Sequence, residues 1–290
     1  MLLGTLVYGF INSVMLALVA LGFNLTFGIS GVANFSYGAL YVFAGYGTWI
    51  LMNNVGLSYV AAIPLSVLLT AIIGALLYRF ILLRIRGLVV SEVIATFGIG
   101  LAILEMFRYL GFIGYEYTLP TFLDGGLMIG NTFVDFQRLL IVGIGVGLAL
   151  FLWVFTHHTR TGLAFRGIAQ EERTALTLGI DSDWVATLSV AFGAGLAAVA
   201  AIGILPLGII AVDEGYDVLL NALAVCIVGG LGSTGGVILA SFLLGYAQVF
   251  TANYLETHWT MIVSLTAILL ILAIKPSGLF GKQKELEERI

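Results

Sequence analysis

No charged residue occurs before Arg79. A stretch of that length without Asp, Glu, Lys or Arg cannot be the surface of a water-soluble domain, because almost all of such a surface's charge comes from these four side chains. It consists instead of apolar runs as long as a bilayer is thick, since a helix needs about 20 apolar residues to cross the hydrocarbon core. Similar runs recur along the rest of the 290-residue chain, of which 10% is charged, against about 25% in soluble proteins. Mean hydropathy is +1.10. Within lipid every backbone polar group must be bonded inside the protein, so only helices and closed barrels span. The ten-residue alternating segments of a membrane barrel are absent from the sequence. The fold class expected is an all-α polytopic membrane protein.

Hydropathy marks nine candidate spans, at about 2–27, 36–52, 57–83, 90–112, 138–156, 184–210, 217–230, 235–252 and 258–275. Two places break the regularity. The second span is short and opens in polar, glycine-containing sequence, ISGVANFSYGALYVFAGYG, and the seventh and eighth are separated only by GGLGSTGG. Eight or nine transmembrane helices are therefore expected, with broken or re-entrant segments among them, in one domain covering 1–290. The first apolar run lacks a basic flank and is too long for a cleaved leader, so it reads as a retained span.

Short-loop Lys and Arg set orientation. Arg79, Arg84 and Arg86 mark one cytoplasmic connection, and Arg160, Arg166 and Arg173 a second, within 157–183. Lys275, Lys282, Lys284 and Arg289 place the tail, 276–290, inside. The loops 113–137, 211–217 and 253–257 are then external, and they carry Glu116, Asp124, Asp135, Asp213, Glu214, Asp217 and Glu256. For the charge-free first 78 residues the rule is silent.

The chain holds 37 glycines, nearly twice the average usage of about 7%. GIGVG at 143–147 and the segment GAGLAA at 193–198 read as seams where helices approach closely. Gly229, Gly230, Gly232, Gly235 and Gly236, beside Ser233 and Thr234, instead predict a helix break. A tight cytoplasmic turn is the first reading of that break, and a segment lining a path the second. The single cysteine, Cys226, sits in an apolar run and reads as a small buried hydrophobe.

Enzyme chemistry is not indicated. His157 and His158 are adjacent and diverge on a helix, His258 is isolated, and no Cys/His cluster has zinc spacing, so no metal site is expected. GLFGKQ lacks the spacing and the Ser/Thr of a phosphate-binding P-loop. No cofactor is expected on this chain, and any ATP must be bound by another subunit. Glu105 and Arg108, three apart near a span's outer end, read as a local ion pair, and Glu92 as interfacial. The sequence has no carboxylate at a clear mid-membrane position, which counts against ion-coupled transport. Asn34, Ser36 and Tyr37 precede the short second span, and Thr96 and Gly98 lie in the fourth. They serve either as caps and packing at a break or as lining of a substrate path, since irregular backbone at membrane depth survives only where protein or water covers it.

Four blocks then align with a known family: ALVALGFNLTFGISGVANFSYGALYVFAGY from Ala17 to Tyr46, ATFGIG from Ala95 to Gly100, RTGLAFRGIAQEERTALTLGID from Arg160 to Asp181, and NALAVCIVGGLGSTGGVILASFLLG with the later KPSGLFG. In this order they resemble the membrane permease subunits of bacterial and archaeal ABC importers for branched-chain amino acids, in particular the shorter, H-type permease. The resemblance implies a location in the cytoplasmic membrane and pairing with a homologous second permease or a second copy of this chain. It also implies two cytoplasmic ATPases that hold ATP and Mg, and an external solute-binding protein. It implies that Ala164 to Ile180 contain a coupling helix that docks on an ATPase. In this sequence the docking residues would be Arg160, Leu163, Phe165, Arg166, Ala169, Glu171, Glu172, Arg173, Ala175, Gly179 and Ile180, with a charged rim, an apolar side that also includes Leu176, and a glycine stop. Tyr37 stands where many relatives have His or Gln, and Lys275 where Arg is commoner. Importers for urea, short amides or aromatic amino acids share these blocks, and a self-sufficient channel or ion-coupled carrier is the alternative from another class.

Overall fold

The computed structural model describes residues 2–31, 33–114, 117–255 and 259–281. Glu116, Glu256, His258, Lys282, Lys284 and Arg289, and with them most of the expected tail, lie outside the described residues. The apolar runs form helices α1 (Leu2–Ser30), α2 (Tyr37–Asn53) and α3 (Tyr59–Leu77), which continues through a π turn (Tyr78–Leu82) into the short α4 (Leu83–Ile85). Helix α5 (Val89–Tyr109) precedes a hairpin of β1 (Gly126–Ile129) and β2 (Thr132–Asp135), followed by α6 (Phe136–His158). Two short helices, α7 (Arg160–Gln170) and α8 (Glu172–Thr177), lead to α9 (Ser182–Ile204), α10 (Glu214–Gly229), α11 (Thr234–Tyr254) and α12 (Trp259–Ile274). Six of the helices are long and apolar enough to cross a membrane alone, whereas α2, α10 and α12 have 17, 16 and 16 residues. Each expected span has its helix, including the suspected second and seventh.

The hairpin is a departure from the loop expected over 113–137. Gly126 pairs with Asp135 and Ile129 with Thr132, antiparallel, across Gly130 in the left-handed region (φ 63°), where glycine costs nothing. It shows at which end of the bundle the first helix begins. The Tyr8 hydroxyl donates to the Phe133 carbonyl at 2.6 Å, the Arg138 guanidinium lies 4.9 Å from the Tyr8 ring centre, and Asn253 donates to Thr5 at 3.0 Å. Helix α1 therefore begins at the end of the bundle opposite the basic connections, the end that the Lys and Arg rule reads as external.

Helices α1 and α9 are the buried centre, while α3, α5 and α6 keep most of their apolar surface outward. The expected seams hold at particular glycines. A side chain at Gly193 would strike Thr26 and the Gly22 carbonyl of α1, and one at Gly145 would strike Val14. Cys226 is buried against the Ala20 carbonyl, as a small core residue. Around Tyr46 the external end is closed by packed rings of Trp49, Phe107, Phe112 and Tyr117, and the Tyr46 hydroxyl donates to the Ile210 carbonyl at 2.8 Å.

Helix α2 starts inside the bilayer. A side chain at Gly100 would press on the backbone of Phe35 and Ser36, and Gly100 lies 11 residues, about 16 Å, along α5 from its cytoplasmic end. From there α2 runs outward until Trp49 packs on Tyr117. The segment is thus a broken span that continues to the outside rather than a re-entrant loop.

Candidate functional site

The segment from Arg160 to Asp181 is built by local capping. The Thr159 hydroxyl accepts from Gly162 N at 3.0 Å to start α7, and Asp181 Oδ1 accepts from Asp183 N and Trp184 N at 3.0 and 3.1 Å to start α9, each satisfying free N–H groups of a first turn. Gly179 follows α8 at φ +82°, the glycine stop expected there.

Packing divides the residues expected to dock. Phe165 is 1% exposed, edge-on to Phe155 (5.7 Å) and Phe192 (6.0 Å), and forms a small core with Ile29, Ile168, Ala175 and Val185. Ile180 packs on the same core. Phe165 and Ala175 thus seat the segment on this chain's own helices and are not free to meet a partner, while Ile180, packed on that core, is only half-buried. Arg160, Leu163, Arg166, Ala169, Glu171, Glu172, Arg173, Leu176, Leu178 and Gly179 lie on the exposed side. Leu163, Leu176 and Leu178 are apolar side chains left at 53%, 50% and 77% exposure among these charged groups.

One arginine ties this segment to the other basic connection, between α4 and α5. Arg86 pairs with Glu172 and, at 2.6 Å, with Asp183, and donates to the Ser182 hydroxyl at 2.8 Å. Ser182 in turn donates to Glu172 Oε1 at 2.5 Å. Partial burial alone would raise the Glu172 carboxyl, but the Ser182 hydrogen bond and the Arg86 guanidinium hold it below its ordinary value. Burial likewise disfavours the charged Arg86, yet the surrounding groups keep its pKa raised. Glu92, in the first turn of α5, is buried and accepts from Gly87 N at 2.8 Å, a structural role at a helix start.

The Gly229–Gly236 stretch is a tight turn between α10 and α11. Gly230 and Gly232 have φ values of +100° and +82°, Ser233 caps α11 by accepting from Gly236 N at 3.2 Å, and Asn24 of α1 accepts from Gly232 N at 2.8 Å. The KPSGLFG block lies on it: Leu279 N donates to the Val228 carbonyl at 2.9 Å and Phe280 N to that of Gly229 at 3.0 Å. A side chain at Gly230 would collide with this backbone at Phe280 and Gly281, and side chains at Gly229 and Gly236 would each collide with the other's backbone across the turn, whereas Gly235 faces open space. A cavity of about 190 Å³, lined by Asn24, Gly28, Thr156, His157, Arg166 and Gly232, separates the turn from α7.

The residues proposed for a substrate path are brought near one break but are occupied. Asn34 Oδ1 accepts from Ser36 N (3.1 Å) and the Ser36 hydroxyl (2.6 Å), and the buried Tyr37 donates to the Val19 carbonyl at 2.7 Å. Thr96 is buried and returns its hydroxyl to Glu92 O at 2.8 Å, and Gly98 lies on the open face of α5. Within this chain, capping and packing account for Asn34, Ser36, Tyr37 and Thr96. Among the described residues, no three His, Cys, Asp or Glu gather as metal ligands.

Residues 5–273 match the family described as branched-chain amino acid transport system / permease component. The chain belongs to this family. It is 28% identical to the high-affinity branched-chain amino acid transport system permease protein BraD of Pseudomonas aeruginosa, over 92% of this chain and 91% of that one. It is 27% identical to the corresponding permease protein LivH of Escherichia coli K12, with the same coverages, and 26% identical to LivM of Salmonella typhimurium over 90% of this chain and 67% of LivM. Among solved structures, PsaBC from Streptococcus pneumoniae in complex with Fab shares the fold, with a TM-score of 0.52 and 14% identity over 99% of this chain and 95% of that one. The chain is thus a multi-pass membrane permease component and not an enzyme.

For a permease component, the position of Arg86 matters as much as that of α7, and the sequence did not single it out for this. An Arg in a basic connection, beside Arg79 and Arg84, reads as orientation, and nothing local reveals partners 86 and 97 residues away. Asn24 was missed for the same reason, since a polar residue inside an apolar run has no visible partner until the turn folds onto it.

Proposed function

We propose that this chain is a permease subunit of an ATP-driven importer of branched-chain or other hydrophobic amino acids, with ATP and Mg held by two separate cytoplasmic ATPases. It would pair with a homologous second permease, take substrate from an external solute-binding protein, and transmit the ATPase stroke through α7 and α8. The observation that carries the coupling assignment is the two-sided α7–α8 segment: Phe165, Ile168 and Ala175 are fixed in the chain's own core while Leu163, Leu176 and Leu178 stand uncovered on the cytoplasmic side. Exposed apolar side chains beside charged groups are how one protein offers a docking face to another. Pulling on it would move α1 and α9 directly, because the seat of α7 includes Ile29 and Val185. A path for the substrate would run where α2 is broken, with Asn34, Ser36, Tyr37, Thr96 and Gly98 around it, once the partner permease completes the wall. Family relationship supports the substrate class. Reconstituting the chain with its partners and scanning amino acids, urea and short amides for ATP-driven uptake tests it. Uptake of leucine, isoleucine or valine is expected, and uptake of urea or amides alone would overturn the substrate assignment.

A further inference from the structure

A cavity of about 360 Å³ opens among α10, α11 and α12, away from the coupling face and the broken span. Its volume falls in the range of small-molecule sites, about 300–1,000 Å³. Asp213, at the start of α10, pairs with Arg108 at the outer end of α5, so the cavity belongs to the external half of the protein. Asp217, Asn221, Gln248, Thr260 and Ser264 form its polar wall, and Leu220, Met261 and Leu265 its apolar one.

Hydrogen bonds dictate which end of each amide meets the space. Asn12 of α1 donates to Gln248 Oε1 at 3.0 Å, so the Gln248 nitrogen is turned the other way and donates to Asn221 Oδ1 (3.0 Å) and to the Ser264 hydroxyl (2.8 Å). The Ser264 hydroxyl donates to the same Asn221 oxygen at 3.3 Å. Both lone pairs of that oxygen are then used, and the Asn221 NH₂ group is what the network leaves for the cavity. Asp217 precedes it by four residues, one turn outward on the same helix face. Asp217 is exposed and in no ion pair among the described residues. The wall therefore offers a carboxylate acceptor and, one turn deeper, an N–H donor pair beside apolar side chains. That arrangement matches the ammonium, the carboxylate and the aliphatic side chain of an α-amino acid. A free anion would meet the Asp217 charge with no cation to balance it.

We propose that this cavity is an external binding site for a zwitterionic aliphatic α-amino acid. The proposal rests on the importer reading above and adds a holding site before the broken span. The test is equilibrium binding of radiolabelled leucine to the assembled complex in phosphatidylcholine nanodiscs, which carry no primary-ammonium lipid, without the external binding protein. Asp217→Asn removes the charge from an exposed side chain. Asn221→Asp keeps the oxygen that Gln248 and Ser264 bond but replaces the donor with an acceptor. Each is expected to weaken leucine binding at least about tenfold, the scale of a lost charge-assisted hydrogen bond. Isopentylamine and isocaproate, each lacking one charged end, should compete at least about tenfold more weakly than leucine. Wild-type binding by both variants, with ATP-driven leucine uptake intact, overturns the cavity assignment and leaves the importer reading standing. Leucine bound by the wild type and lost in both variants, but with no uptake, overturns the importer reading and leaves the site standing.

Discussion

Truncating Phe165 to alanine should loosen the coupling segment without touching any surface that a partner meets. The ring is 1% exposed and lies edge-on to Phe155 and Phe192. Phe→Ala in a packed core costs about 3–5 kcal/mol, of which the two ring pairs account for about 0.5–1.5 kcal/mol each. Helices α7 and α8 have 11 and 6 residues, too short to persist alone, since isolated helices below about 12–15 residues are marginal. Their order is therefore lent by this seat, and a loss of about 3 kcal/mol raises local opening on the order of a hundredfold. Hydrogen exchange of peptides covering 160–180, measured on the purified chain in detergent, reads that change directly. Leu163→Ala is the paired control. Its side chain is 53% exposed, so exchange should stay within about 0.5 kcal/mol of wild type while ATPase docking weakens. Equal acceleration of exchange by both variants would refute the division of α7 into a seated and a docking face.

Three further outcomes follow from the same geometry. Arg86→Ala leaves Glu172 and Asp183 without their shared cation; because the groups are partly exposed the cost is about 1 kcal/mol, visible as faster exchange in α8. The Glu172 carboxyl is held below its ordinary value, so its stabilisation is complete above the unfolded pKa of about 4.3 and is lost as pH falls through the lower folded value. Thermal unfolding across that acid window should show a drop that Glu172→Gln abolishes. Gly230→Ala places a side chain at φ +100° against the backbone of Gly281; it should cost about 1–2 kcal/mol from conformation alone and free residues 278–281 to proteolysis. Gly235→Ala, facing open space, should do neither.

Much of the fold was legible because the bilayer imposes one rule on every span. Apolar length located a helix for each of the nine candidate spans, and six of these, among the described residues, are long and apolar enough to cross a membrane alone. The ends drifted where polar residues still extend a helix, as at Glu214, which opens α10 ahead of the expected start at 217. The hairpin was hidden by its size: two four-residue strands inside an acidic loop show little alternation, and only Gly130-Asn131 signals the turn. The 160–181 segment stood out in sequence by its charges, but its seated face did not. An amphipathic helix shows an apolar stripe in sequence without saying whether the chain itself covers it, and α7 buries Phe165 in this chain while leaving Leu163 exposed. Where α1 begins relative to the other loops was illegible for want of charge and became clear only through the Tyr8–Phe133 contact, which puts its start beside the hairpin.

The claim that α7 and α8 are gripped by a separate ATPase has a direct measurement. Cys226 is the sole cysteine and is buried, so Leu163→Cys and Leu176→Cys give single reporters for maleimide labelling on the exposed side. Both should label rapidly in the isolated chain and become protected when the ATPase subunits are assembled onto it, while Tyr109→Cys, 91% exposed at the far end of α5, keeps its rate. Unchanged labelling of both leucine positions in the assembled, ATP-hydrolysing complex would contradict the account.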